Sequence, residues 1–305
     1  METRLIPFNA WIALMTGEGG WPAPLKRAGF RLLGLEWPVT TTEGLVVVDG
    51  LGLDEARAVV LASESKSGQN VDPDQARRYG AMTATEVARQ LTPAAAATTV
   101  QPVFVCIGGA EDRIRLGLEA AGLDAPIIVV GDRRAHVDHA GGGGAVGLWD
   151  VSLPAGPPPR LVPVDADSPE GEYQELLLAA VVAAARRNLG VVAIVSLLDS
   201  AMPYWRSMGR NARERIRKKA TSALRSLADG EYKGVFALEK GGSEIDGMVV
   251  RILKSPGTFD PRGETQGWQA LQRKGQRALR GRSSARPTGQ LSLEDLGMSI
   301  MGSEE

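Results

Sequence analysis

Cysteine and histidine are almost missing from this sequence. Its 305 residues include one cysteine, Cys106, and two histidines, His136 and His139. A single thiol excludes an internal disulfide framework and a cysteine-ligated zinc site within one chain. So few histidines also disfavour a Ser-His-Asp hydrolase. We therefore expect a cytoplasmic protein in which Cys106 is a small buried core residue.

Long apolar runs are absent as well. No stretch of about 18 apolar residues occurs, so no membrane partner is expected. The first fifteen residues carry Glu2 and have no clear cleavage site, which disfavours a signal peptide. Hydrophobic residues make up 43% and charged residues 23%, as in folded globular proteins. The length predicts one large domain or two ordinary ones.

Charge is unevenly placed along the chain. Residues 203–290 hold 19 Lys and Arg against 8 Asp and Glu, whereas the whole chain has 35 against 36. This basic region predicts contact with a polyanion, and DNA is the expected partner. The candidate nucleic-acid-binding residues are Arg210, Arg213, Arg217, Lys218, Lys219, Arg273, Lys274 and Arg277. The alternatives are a solvated face, an acidic protein partner subunit or a second copy of this chain.

Pattern and composition divide the chain into four parts. Residues 1–140 are predicted as an α/β domain with a mixed sheet, in the order helix, two or three strands, helix, strand, helix, strand. A Gly/Pro-rich linker is predicted at 141–165. Residues 166–282 are predicted as a basic α+β domain, whose helix followed by a hairpin is compatible with a winged helix. A flexible tail is predicted at 283–305.

Two predicted strands of the first domain, 44–48 and 58–62, carry acidic residues at their ends. Paired as an antiparallel hairpin, they place Glu43 opposite Glu64, with Lys66 on the same face. Two converging carboxylates can hold Mg²⁺ or Mn²⁺ beside a phosphate, and an ammonium can orient the attacking water. The sequence therefore predicts a Mg²⁺ (or Mn²⁺) site with Glu43 and Glu64 as ligands. The alternative for Glu64 and Lys66 is a solvated ion pair, and for Glu43 a surface turn.

A helix predicted over 72–90 adds Gln75 and Tyr79, which are four residues apart and share one face. At the sheet end they are placed to contact a nucleic-acid backbone or to brace Lys66. Gln75 could instead cap its own helix after Asp72, and Tyr79 could simply pack in the core.

The segment Glu64-Ser65-Lys66-Ser67-Gly68, followed by Gln75-Ala76-Arg77-Arg78-Tyr79, resembles the PD-(D/E)XK nuclease superfamily, and within it the RecB-like branch. The resemblance covers about residues 24–135. It implies a restriction-endonuclease-like core and Mg²⁺-dependent phosphodiester hydrolysis. It also implies that Glu64 is a metal ligand, that Lys66 contacts the attacking water and that Gln75 and Tyr79 belong to the catalytic set. The family's first acid, usually Asp, falls on Glu43 by position, and Asp49, opposite Ala58 in the predicted hairpin, is the alternative.

These patterns together predict a Mg²⁺-dependent deoxyribonuclease, acting in genome defence or DNA processing. The first alternative is a weak or inactive nuclease fold that binds nucleic acid or scaffolds a complex, since the expected Asp is replaced. The second is a nucleotide site at Gly108-Gly109, although the three-glycine pattern is missing and two acids, Glu111 and Asp112, open the following helix.

Overall fold

The computed structural model of the chain describes residues 4–68, 70–90, 99–138, 144–241 and 247–254. Within these ranges the α-helices are α1 Leu5–Thr16, α2 Pro24–Arg27, α3 Pro73–Gly80, α4 Ala84–Gln90, α5 Glu111–Ala120, α6 Glu170–Arg186, α7 Ile194–Ala201 and α8 Arg210–Asp229. The strands are β1 Arg31–Thr41, β2 Gly44–Asp54, β3 Val59–Lys66, β4 Thr99–Ile107, β5 Ile127–Val130, β6 Arg134–Asp138, β7 Asp150–Ser152, β8 Val191–Ala193, β9 Phe236–Lys240 and β10 Met248–Ile252.

The seven strands β1 to β7 form one mixed sheet in chain order. The pairs β3–β4 and β4–β5 are parallel, and the four other pairs are antiparallel. The parallel connections contain the helices α3, α4 and α5, as such crossovers require. The predicted α/β class with a mixed sheet is confirmed. The predicted order omits α1, β6 and β7, and it joins α3 and α4 into one helix over 72–90.

Both faces of this sheet are covered. One face packs on α1, where Trp11 and Leu14 are buried with Leu61 and Val105. The other face packs on α3, whose Tyr79 is buried among side chains of β2 and β3, and on α5. Adjacent residues of the central strand β3 therefore point to different helix layers.

The sequence predicts a helix over residues 24–35, and this is wrong beyond the first turn, since α2 ends at Arg27. The helix α2 ends because Gly29 takes a left-handed φ of 97° and the N–H of Phe30 bonds back to the carbonyl of Leu25 at 3.0 Å. This backbone pattern closes a helix end and redirects the chain. The residues that follow form β1, an eleven-residue strand that pairs with β2.

The predicted register of the β2–β3 hairpin is also wrong. The turn lies at residues 55–58 rather than between residues 53 and 54, and the last ladder pair is Asp54 with Val59. Asp54 stabilises the turn by accepting a 3.0 Å hydrogen bond from the N–H of Arg57, and Ala58 has a left-handed φ of 54°. The register places Gly50 opposite Ser63.

The second half of the chain packs against the same core. The helices α6 and α8 are as predicted, with an apolar stripe of α8 buried, and the predicted hairpin is β9 and β10, which form a three-stranded sheet with β8. The stretch predicted as a linker is packed rather than extended. It contains β7, and the side chain of Asn9 on α1 bonds both the N–H and the carbonyl of Val162. Among the described helices, none is both long and apolar enough to cross a membrane.

Candidate active site

Lys66 lies at the centre of a polar cluster where β3 ends. Its Nζ atom is 2.8 Å from Oε1 of Glu64 and 2.8 Å from Oε1 of Gln75. The side chains of Lys66 and Glu64 are only 14% and 9% exposed, so this is not a solvated surface pair. Gln75 thus points across to the strand, while the helix cap is made by Asp72, which accepts a 2.9 Å bond from the N–H of Asp74.

Tyr79 holds the other oxygen of the same carboxylate. Its hydroxyl lies 2.8 Å from Oε2 of Glu64 and 3.1 Å from the carbonyl oxygen of Ser63. Its ring is fully buried and packs against Phe104, with the ring centroids 5.7 Å apart. Burial, followed by the charge of Glu64, raises the pKa of Tyr79 well above its ordinary value, so its hydroxyl stays a hydrogen-bond donor. The structure therefore brings together Glu64, Lys66, Gln75 and Tyr79, as the sequence predicts.

The second carboxylate at this cluster is Asp49. It directly precedes Gly50, which forms the last ladder pair of β2 and β3 with Ser63, and Glu64 directly follows Ser63. Its Oδ2 atom accepts a 2.6 Å hydrogen bond from the N–H of Ser65. Burial raises the pKa of Asp49 well above its ordinary value, and the charge of Glu64 raises it further. The positive charge of Lys66 therefore only partly compensates the two carboxylates.

Glu43 does not join the cluster, which corrects the prediction that it opposes Glu64. It is exposed in the turn between β1 and β2, where its N–H bonds the hydroxyl of Thr41 at 3.1 Å. The cause is the hairpin register, which places Asp49 beside Glu64. Glu43 is therefore a surface turn residue in this structure, the alternative interpretation of the sequence.

Glu36 was not predicted as part of this region. It stands between Leu35 and Trp37, which pair with Gly50 and Val48, and its charge contributes to the raised pKa of Asp49. Burial and then the charge of Asp165 raise the pKa of Glu36 to about 7, although Arg215 acts in the opposite direction. Its backbone has a positive φ of 46°. The sequence gives no signal for this placement, which depends on the packing of the second half of the chain against β1.

The donor set fits a hard divalent cation. Asp49 and Glu64 supply two carboxylates whose mutual repulsion favours a bound positive charge. Mg²⁺ is usually held by one or two carboxylates, with water and substrate phosphate completing its shell. Over the described ranges, no group of three or more His, Cys, Asp or Glu side chains is arranged to hold a metal ion. A resident ion at this site would therefore depend on the substrate and water for its remaining ligands.

The residues predicted to bind nucleic acid differ in exposure. On α8, Arg210, Arg217 and Lys218 are exposed, and Arg213 is half-buried. Lys219 is tied to the chain by a 2.9 Å bond from its Nζ to the carbonyl of Ser168. The remaining predicted contacts, Arg273, Lys274 and Arg277, lie outside the described residues.

Two other candidates have local structural partners. The N–H of Gly109 donates a 2.6 Å bond to the carboxylate of Glu111, which therefore occupies the start of α5 where a phosphate would bind. A shallow hollow near the turn at residues 55–58 is lined by Arg57 and Asp54, but the Arg57 guanidinium bonds the carbonyls of Ala28 and Ala145 at 2.7 and 3.0 Å. This hollow lies at the Asp54 end of β2, away from Asp49 in the middle of the strand.

No family model, curated protein or solved structure matches this chain. The candidate active site therefore depends on the geometry of its own residues.

Proposed function

We propose that the chain is a Mg²⁺-dependent nuclease of the PD-(D/E)XK type that hydrolyses phosphodiester bonds in DNA. One observation carries the proposal: the carboxylate of Asp49 accepts a hydrogen bond from the N–H of Ser65, beside Glu64, and Lys66 pairs with Glu64 two residues further along β3. The core order of a helix, three antiparallel strands, a helical crossover and a further strand supports a restriction-endonuclease-like fold.

In this proposal Asp49 and Glu64 would hold the ion through one oxygen or both. A bound Mg²⁺ would supply a water of lowered pKa and would offset charge developing on the phosphate. Lys66 orients the attacking water and stabilises the added negative charge. The water oxygen bonds to phosphorus and releases a proton to solvent, the bond from phosphorus to the leaving sugar oxygen breaks, and that oxygen takes up a proton from solvent.

Gln75 and Tyr79 act through their neighbours as positioning residues. Gln75 fixes the ammonium of Lys66, and Tyr79 fixes the carboxylate of Glu64. Both are on α3, which is packed into the sheet through Ala76 and Tyr79. A rigid supporting layer of this kind keeps reacting groups within the narrow tolerance that catalysis needs.

The basic residues of α8 support DNA as the substrate. This helix starts against β1, because the N–H of Gly209 bonds the carbonyl of Leu35 at 2.8 Å, next to Glu36. Exposed Arg217 and Lys218 can contact phosphates on the side away from the buried stripe. The helix is followed by the hairpin of β9 and β10, an arrangement compatible with a winged helix.

The test is cleavage of linear and circular DNA with Mg²⁺ or Mn²⁺. We expect metal-dependent cutting that falls by about 10²-fold or more in Lys66→Ala and Glu64→Ala, since each removes a charge at the reacting phosphate. Loss of the circular substrate would identify endonuclease action. A purified wild-type protein that leaves both substrates intact with either metal would contradict the proposal.

A matched pair of acids tests the register. Asp49→Asn should abolish cutting, whereas Glu43→Gln should leave it within about twofold, because only Asp49 lies beside Glu64. The reverse result would contradict the assignment of Asp49. The alternative of an inactive scaffold is based on Glu43 standing where the family has Asp, and the carboxylate of Asp49 near Glu64 supports an active enzyme instead.

A further inference from the structure

Arg78 lies on α3 beside the residues that support the candidate active site. It follows Gln75 by three residues and precedes Tyr79, so it projects from the same side of the helix as Gln75. Its side chain is half-buried. It therefore lies on the side of α3 that carries Gln75, the hydrogen-bond partner of Lys66.

The Nε atom of Arg78 is a hydrogen-bond donor without an acceptor among the described residues. This atom is buried. Neighbouring Arg77 is exposed and forms an ion pair with Asp74. A buried donor without an acceptor is unfavourable and rare in native proteins, so it points to a ligand that supplies the acceptor.

Near Arg78 the strand β2 no longer pairs with β3. The pairing of β2 with β3 ends at Gly50, so residues 44–49 pair only with β1. The Cδ atom of Arg78 lies 3.8 Å from the position that a Cβ on Gly44 would occupy. Arg78 thus lies between α3 and the β1–β2 turn, along the side on which β2 separates from the strand end that carries Lys66.

We infer that Arg78 binds a phosphate of the nucleic-acid substrate next to the one positioned at Glu64 and Lys66, an inference that rests on the proposed function. A guanidinium presents planar paired donors that match phosphate oxygens, and an anion would satisfy the buried Nε. Arg78 would then fix the register of the substrate backbone beside the candidate active site without taking part in bond breaking.

The test separates binding from cutting in the full chain. Binding of a labelled DNA duplex is followed by fluorescence anisotropy for Lys66→Ala and for the double variant Lys66→Ala with Arg78→Gln, so that the DNA is not consumed. We expect roughly tenfold weaker binding in the double variant, and a salt dependence of binding that is smaller by about one phosphate contact. Arg77→Gln in the same background is the matched control and should bind as Lys66→Ala does.

Steady-state cleavage supplies the second readout. Arg78→Gln should raise KM by roughly tenfold with a much smaller loss of kcat than Lys66→Ala, because the contact positions the substrate. Arg78→Lys should recover part of the binding, since the charge remains but the paired donors are lost. Unchanged KM and salt dependence in Arg78→Gln, with wild-type cutting intact, would overturn the role of Arg78 alone.

The remaining outcomes distinguish the two proposals. Loss of affinity on Arg78→Gln in a protein whose wild type does not cut would contradict the nuclease and support the phosphate contact. Absence of both binding and cutting in the wild type would overturn both. A fall in thermal stability on Arg78→Gln that Arg77→Gln does not show, with no change in affinity, would identify a structural role and also overturn the inference.

Discussion

Glu36 is a carboxylate whose environment opposes its own charge. Burial is the main reason that its pKa rises from 4.5 to about 7, and Asp165 adds to the effect. The folded protein then binds a proton that the unfolded chain releases, so stability falls as pH rises from about 4.5 to about 7. The full contribution is present below about pH 4.5 and is lost above about pH 7.

Glu36→Gln keeps the size of the side chain and removes this charge. We expect the variant to be about 1–3 kcal/mol more stable than wild type at pH 8 and nearly equal to it at pH 4.5. Urea unfolding at several pH values measures the difference. Glu55→Gln, at an exposed residue paired with Arg31, is the control and should change stability by less than about 0.5 kcal/mol. A constant difference between Glu36→Gln and wild type across the pH range would contradict the explanation.

Some site residues could be predicted because their relation lies within a single element. Glu64 and Lys66 are two apart on a strand, and Gln75 and Tyr79 are four apart on a helix, so each pair shares a face whatever the tertiary structure. Asp49 could not be predicted as the second carboxylate of the site in this way. Its partner depends on the register between two strands, which a sequence pattern specifies weakly when glycines lie in the strand.

The helix α1 determines how β2 passes the candidate active site. A Cβ added to Gly50 would lie 2.2 Å from Nε1 of Trp11, and one added to Gly52 would lie 2.6 Å from Cε of Met15. These glycines suggest a connection in the sequence, yet they lie inside a strand because a helix packs directly on them. This contact between distant segments is the physical reason that the predicted hairpin was too short.

Gly50→Ala tests the importance of this contact. The added methyl group must displace Trp11 or β2 in a closely packed core, so we expect a loss of about 1–3 kcal/mol in the free energy of unfolding. Cutting should also fall at temperatures where the variant stays folded. The reason is that a shift of β2 at Gly50 would move the carboxylate of Asp49, the preceding residue. Chemical unfolding and the cleavage assay measure the two effects.

Gly171→Ala is the control for this substitution. Gly171 lies in α6, and nothing is within 4 Å of the position of an added Cβ. This change should preserve cutting and leave stability equal or slightly higher, because alanine favours a helix. A stability for Gly50→Ala equal to wild type would contradict the packing argument.

At the scale of the whole molecule, the two halves of the chain share one core. Buried residues of α1 belong to the same cluster as Tyr173 and Leu177 of α6 and Ile216 of α8. Periodicity could predict α6 and α8, but not α1 or the packing of these helices against it, because long-range contacts leave no local pattern. This packing fixes the basic helix α8 beside β1, and β1 pairs with β2, the strand that carries Asp49.

The position of α8 predicts how DNA affinity depends on salt. The side chains of Arg217 and Lys218 are exposed, and neither side chain makes a hydrogen bond or ion pair with the part of the chain that the structure describes. Replacing both by Gln should weaken DNA binding and lower the slope of log affinity against log salt by about two. Titrations by fluorescence anisotropy at several salt concentrations measure this slope.

A second pair of basic residues separates a specific surface from net charge. Arg186 and Arg187 are exposed at the end of α6, and replacing both by Gln removes the same charge. We expect this control to keep the wild-type slope, because released counterions are counted only where phosphates are contacted. An equal fall in slope for both pairs would mean that affinity follows the overall charge. The α8 surface would then have no special part in binding, and the basis for choosing DNA as the substrate would be lost.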